Sequence, residues 1–216
     1  MKKLVNIFLL STLGYILVSI IVYLITKRSM HLMFIINLIL ALLPFLLIIY
    51  IYKKDYNISK VNKFILLFIW LFFFPNTIYF LTDFIHLSRD WFYIDDVRNY
   101  LISYKDWLSY FHILIGALIS LALGLVSLRI FEKVIIRIIK VNFNIILIIV
   151  SLLTGLAIYL GRFLRFNSWD VIFFYKIIYR FFDTFSLFSL FFIIMFASIT
   201  YFAYYIFVNI LKTKDL

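Results

Sequence analysis

The chain has 216 residues, 66% of them hydrophobic and 22% aromatic, with a mean hydropathy of +1.11. Soluble domains are about half apolar, and a water-soluble fold of this length has no means of hiding the excess, so its solvent is lipid. Lys and Arg outnumber Asp and Glu by 21 to 10. The basic residues cluster near the ends of apolar runs, which fits topology and headgroup contact and excludes a nucleic-acid partner. The absence of cysteine excludes disulfides, thiolate metal sites and a cysteine nucleophile.

Six charge-free runs follow one another along the chain. Lys3 to Lys27 encloses 23 residues, Arg28 to Lys53 encloses 24 and Lys63 to Asp83 encloses 19. Asp106 to Arg129 encloses 22, Lys140 to Arg162 encloses 21 and Asp183 to Lys212 encloses 28. A helix needs about 20 residues to cross about 30 Å of hydrocarbon, and only a helix satisfies its own backbone there. The expectation is an all-α membrane protein, one domain over 1–216, with about six transmembrane helices over 4–26, 31–52, 62–82, 108–129, 141–161 and 185–211. The first run is too long for a signal-peptide core and lacks a small-residue cleavage site, so it is read as a retained helix.

The third span carries Pro75-Asn76, where the ring removes a donor and bends the helix near its end. Thr82, Asp83, His86, Arg89 and Asp90 follow. If the helix continues, Asp83, His86 and Asp90 share a face. Carboxylates and an imidazole so placed are candidate metal ligands, and Asp83 or His86 a candidate catalytic base. The alternative is pairing of the carboxylates with nearby arginines. The third connection, Asp83 to Asp106, repeats Ile94, Val97, Leu101, Tyr104 and Leu108 at helical spacing, the pattern of an interfacial amphipathic helix.

In the fourth span Gly116, Ser120 and Gly124 form a small-residue stripe that invites close helix packing. His112 lies near the start of that span and is read as a lone, hydrogen-bonded interface imidazole; His31, at the start of the second, carries no separate signal. The fifth span ends in Gly161-Arg162-Phe163-Leu164-Arg165-Phe166-Asn167-Ser168-Trp169-Asp170. Arg162 and Arg165 are expected on one helical face, each able to form a fork with a carboxylate or phosphate. The fifth connection, Arg162 to Asp183, is too apolar for a free loop and is read as a second interfacial or re-entrant helix. The third connection carries net −2 and the fifth net +2, which favours pairing between them.

With six spans, the two termini and connections two and four lie on one side and hold 12 basic residues; the other side holds 9. The positive-inside rule then places both termini in the cytoplasm of a cell-membrane protein, with connections three and five outside.

Residues Pro75 to Leu87 resemble the PNxPYxxTDxxHL signature of a bacterial integral-membrane family, domain of unknown function 1361. Gly155 to Asp170 is similar to that family's GxYLGRFxRWNSWD signature. Ile78 replaces the usual Pro and Phe166 the usual Trp. The resemblance implies a multi-pass fold, supplies no activity or cofactor, and marks Asn76, Asp83, His86, Arg162, Arg165, Asn167 and Asp170. The functional expectation is an outer-face site in which Arg162, Arg165, Asn76, Asn167 and Asp170 bind an anionic lipid or a phosphorylated ligand. A membrane transporter and a non-catalytic assembly subunit are the alternatives, and the sequence leaves open whether the chain is an enzyme.

Overall fold

The computed structural model describes residues 1–54, 57–88, 103–166 and 174–212. Among these, six segments are long and apolar enough to cross a membrane: Lys2–Thr26, Met30–Lys53, Lys60–His86, Tyr104–Ile138, Phe143–Phe163 and Leu187–Leu211. No strand occurs among the described residues. The protein is thus an all-α, multi-pass membrane protein. Its exposed apolar side chains, such as Leu10, Leu17, Ile21 and Phe191, need a bilayer to cover them.

Helices α1 (Lys2–Thr26) and α2 (Met30–Lys53) form a hairpin whose turn is made by Lys27 in the left-handed conformation, its N–H returning to the Tyr23 carbonyl at 2.7 Å. The third span is assembled from pieces. Helix α3 (Lys60–Phe73) starts at Ser59, whose hydroxyl accepts from the Asn62 N–H at 3.3 Å. It stops at Pro75, and the chain resumes as a single turn, α4 (Asn76–Tyr79), and a 3₁₀ segment, Phe80–His86. The break exposes carbonyls, and side chains mend it. Asn76 Nδ2 donates to the Phe73 carbonyl at 3.0 Å, Thr77 Oγ1 to that of Phe74 at 2.8 Å, and Thr82 Oγ1 to that of Tyr79 at 2.7 Å.

Helix α5 (Tyr104–Ile138) has 35 residues, so at about 1.5 Å per residue it outruns the hydrocarbon by about 20 Å. Its buried face is a stripe of small and polar residues: Asp106, Ser109, His112, Gly116, Ser120, Gly124 and Ser127. Each meets a specific neighbour. A Cβ at Gly116 would overlap Tyr15 and Phe80, and one at Gly124 would overlap Thr77. Ser120 Oγ donates to the Thr77 carbonyl at 2.9 Å, and Ser127 Oγ accepts from Trp70 Nε1 at 2.8 Å. The stripe is the seat on which the broken third span rests.

Helix α6 (Phe143–Phe163) begins at Asn142, whose side chain caps the Asn144 N–H at 3.0 Å, and packs against α8 (Leu187–Lys212). Gly155 sets that contact, since a Cβ there would run into the backbone carbonyl oxygen of Ile193. Between them, α7 (Phe174–Thr184) is the helix expected in the fifth connection; Tyr175, Tyr179 and Phe182 are exposed along it. The helix expected around Ile94–Leu101 in the third connection lies outside the described residues; Tyr104 and Leu108 belong to α5.

The α6–α8 contact is testable. Gly155→Ala should destabilise the protein by about 1–3 kcal/mol, because the obstructing atom is backbone and cannot rotate away. Gly14→Ala, with nothing within 4 Å of its built Cβ, should be neutral or slightly stabilising. Melting of both variants in detergent checks the contrast.

Candidate functional site

The third and fifth spans meet where sequence reasoning places the chemistry. Asp83 is fully buried in the 3₁₀ segment. Arg162, in the last turn of α6, donates from Nη2 to Asp83 Oδ1 at 2.6 Å. Its Nε donates to Thr82 Oγ1 at 3.0 Å, and Nη2 also contacts that oxygen. Thr82 can accept because its own hydrogen is committed to the Tyr79 carbonyl. The second carboxylate oxygen, Oδ2, accepts from Asn37 Nδ2 at 2.6 Å. The Arg162 guanidinium lies over the Tyr79 ring, 4.8 Å from its centroid. Gly161 allows this, since a Cβ there would sit 3.2 Å from Tyr79 Cε2. A buried carboxylate is tolerable because both oxygens are partnered and the charge is paired. Asn37, seven residues into α2, puts this pair about 10 Å below the helix end. Sequence reasoning missed Asn37, an uncharged residue with no motif around it.

His86 closes the 3₁₀ segment, its Nε2 3.9 Å from Asp83 Oδ1 and without a hydrogen-bond partner. The α-helical continuation that would align Asp83, His86 and Asp90 does not form. Phe80–His86 is 3₁₀ and Leu87 is extended at φ −83°, ψ 121°. Asp90 lies outside the described residues, and among those described no three His, Asp or Glu side chains converge as metal ligands. Asn76 is used at the proline break, through its bond to the Phe73 carbonyl.

Arg165 departs from the same-face expectation. Helix α6 ends at Phe163, and Arg165 adopts a left-handed conformation at φ 55°, from which the Phe166 N–H returns to the Leu160 carbonyl at 3.2 Å. A left-handed residue that is neither Gly nor Asn is uncommon. Arg165 lies outside the helix that holds Arg162; it is exposed and has no hydrogen-bond or ion partner among the described residues. Beside it, Arg180 of α7 sits 5.8 Å from the Phe166 ring centroid. Asn167 and Asp170 lie outside the described residues.

A second polar cluster, which sequence reasoning did not assemble, lies between α1, α2 and α5. The Nδ1 atoms of His31 and His112 are 3.0 Å apart. His112 Nε2 is 2.8 Å from Ser19 Oγ, and His31 Nε2 is 3.2 Å from Ser109 Oγ. Arg28 donates from Nη1 to Ser109 Oγ at 3.0 Å and forms an ion pair with Asp106 through Nη2. Phe34 separates the two clusters, its ring centroid 6.1 Å from His112 and 6.2 Å from His86. The available signal was the i, i+3 spacing of Asp106, Ser109 and His112, but their partners on α1 and α2 are not marked by spacing.

Fold and site together define a multi-pass helical membrane protein, with six candidate spans among the described residues and a buried, ion-paired polar centre where the broken third span meets the fifth. The model of the family described as Protein of unknown function (DUF1361) matches residues 36–207, and the chain belongs to that family. No significant match occurs among curated proteins or among solved structures.

Asp83→Asn should destabilise the protein by about 3–5 kcal/mol, since it leaves a buried guanidinium unpaired. Arg162→Gln in the same background should add little. Detergent melting of the two single variants and the double variant measures the coupling, and fully additive losses would refute a functional pair.

Proposed function

We propose that the protein is a cell-membrane binding module for an anionic group, a lipid headgroup phosphate or a phosphorylated ligand, at the end of the bundle where α6 meets the 3₁₀ segment. The observation that carries this reading is Arg165. It is a guanidinium held in an unfavoured backbone conformation, exposed and lacking an acceptor among the described residues, directly after a helix whose other arginine is locked. Five N–H donors in a planar fork suit a phosphate. The work divides between the two arginines: Arg162 is the floor, neutralised by Asp83 and fixed by Thr82 and Tyr79, and Arg165 is the contact.

Asp83 is a poor general base here, because Arg162 and Asn37 occupy its two oxygens. Its role in this reading is to orient Arg162. The basic-residue balance puts this end outside and both termini in the cytoplasm, so the ligand is met from the outer leaflet or the space beyond it.

In nanodiscs, phosphatidylglycerol should raise the melting temperature above that in phosphatidylcholine, and Arg165→Gln should abolish the rise while retaining the wild-type melting temperature in phosphatidylcholine. A ligand at about a hundredfold excess over its Kd stabilises by about 2.7 kcal/mol, a shift that such melts resolve. Inorganic phosphate added to phosphatidylcholine nanodiscs separates the soluble anion from the lipid. Equal shifts in wild type and variant would refute the site.

Topology is tested in the cysteine-free chain. An impermeant thiol reagent applied to intact cells should label Ser103→Cys and spare Lys2→Cys; the reverse would invert the orientation.

A further inference from the structure

The His31–His112 cluster does not belong to the anion site. Both rings are buried, at 0% and 2% exposure, and they come from helices brought together by the α5 stripe. Hydrogen accounting shows what they can hold. Ser19 Oγ donates to the Tyr15 carbonyl at 2.7 Å, and Ser109 Oγ donates to the Lys105 carbonyl at 2.8 Å. In that arrangement each hydroxyl can only accept from its histidine, so both Nε2 atoms carry hydrogen. The Nδ1 atoms then face each other at 3.0 Å and require one proton between them, which makes the pair singly charged.

The neutral pair is also satisfied without movement of any heavy atom. One serine turns its hydrogen from the backbone carbonyl to the imidazole Nε2, and that ring then donates from Nδ1 to the other. The remaining ring donates from Nε2 to its own serine. A second excess proton would set two N–H groups against each other at hydrogen-bond distance. The cluster therefore holds either no excess proton or one, and the serine hydroxyls are the rotors that accommodate the difference.

We propose that His31 and His112 form a buried proton-loading site that takes up one proton per chain from the bundle end closed by Arg28 and Asp106. The groups around it suit a single positive charge. From α1, the Tyr15 ring stacks on His112 at 4.5 Å and 15°, giving the cation a π face, and its hydroxyl lies 3.4 Å from His112 Nδ1. From α5, Asp106 pairs with Arg28 of the α1–α2 turn, and their chain neighbours Lys105 and Lys27 add positive charge at that end, which weighs further against a second proton on the pair. From the 3₁₀ segment, Asp83 and His86 lie beyond Phe34, with Asp83 balanced by Arg162 of α6. No step consumes a co-reactant: one proton enters from water, one imidazole lone pair accepts it, and one serine hydroxyl turns back to its carbonyl.

The experiment is a titration of the full chain in nanodiscs with ring-¹⁵N histidine, followed by NMR. With three histidines in the sequence, a His86→Gln variant assigns the remaining pair. His31 and His112 should respond in one joint transition that takes up a single proton on acidification. Ser19→Ala and Ser109→Ala each leave the charged pair with an unaccepted Nε2–H. They should weaken proton uptake about tenfold or more, moving the transition to lower pH, and these small changes keep the test valid if His112→Gln fails to fold. Two independent transitions, or none before unfolding, would overturn the proposal. So would a stoichiometric transition metal in the purified protein whose chelation shifts the same ring signals.

Discussion

Asp83 is fully buried, and the arrangement of the third, fifth and second spans follows from what a carboxylate in that position demands. Its oxygens need donors, its charge needs a partner, and lipid supplies neither. Arg162 provides the charge from α6 and Asn37 the second donor from α2. The second, third and fifth spans are thereby tied at one level of the bundle. The 3₁₀ geometry of Phe80–His86 and the stacking of Tyr79 under the guanidinium fix the angle of approach. The pair constrains which helices are neighbours more than it adds stability, since buried ion pairs do little better than apolar packing in net free energy.

The same rule, that polar groups within the membrane be satisfied from inside the protein, accounts for the small residues. Pro75 breaks a helical ladder where water cannot repair it. Asn76, Thr77 and Thr82 supply side-chain donors to the freed carbonyls, and Ser120 reaches across from α5 to the Thr77 carbonyl. Gly116 and Gly124 let the irregular segment lie against α5. The proline break and the glycine–serine stripe are therefore one feature seen from two helices.

The two clusters divide the polar chemistry by charge. Around Asp83 the charges are fixed and paired. Around His31 and His112 the groups are neutral or singly protonated, and each serine hydroxyl hydrogen has two acceptors open to it, a backbone carbonyl and an imidazole nitrogen. Phe34 stands between them and keeps the ion pair from sharing a hydrogen-bond path with the imidazoles. A single chain can in this way hold a rigid anchor and a proton site on either side of one phenylalanine ring.

The sequence by itself determined the spans, because crossing hydrocarbon is a one-dimensional requirement on length and charge. Each of the six charge-free runs overlaps one of the six long helices; the third extends past position 82 through the 3₁₀ segment to His86, and α5 extends past position 129 to Ile138. The sequence also marked Asp83 and Arg162, since opposite charges at the ends of two spans, each inside a specific motif, have few other partners. Tertiary structure alone decided the rest. Arg165 leaves the face of Arg162 because α6 stops at Phe163, and helical spacing has no meaning past a left-handed residue. His31 and His112 stand 81 residues apart and look solitary in a linear reading. They meet because α2 and α5 pack through surfaces chosen by shape, and hydropathy, which records only the partition between water and lipid, carries no information about which polar side chain will face which.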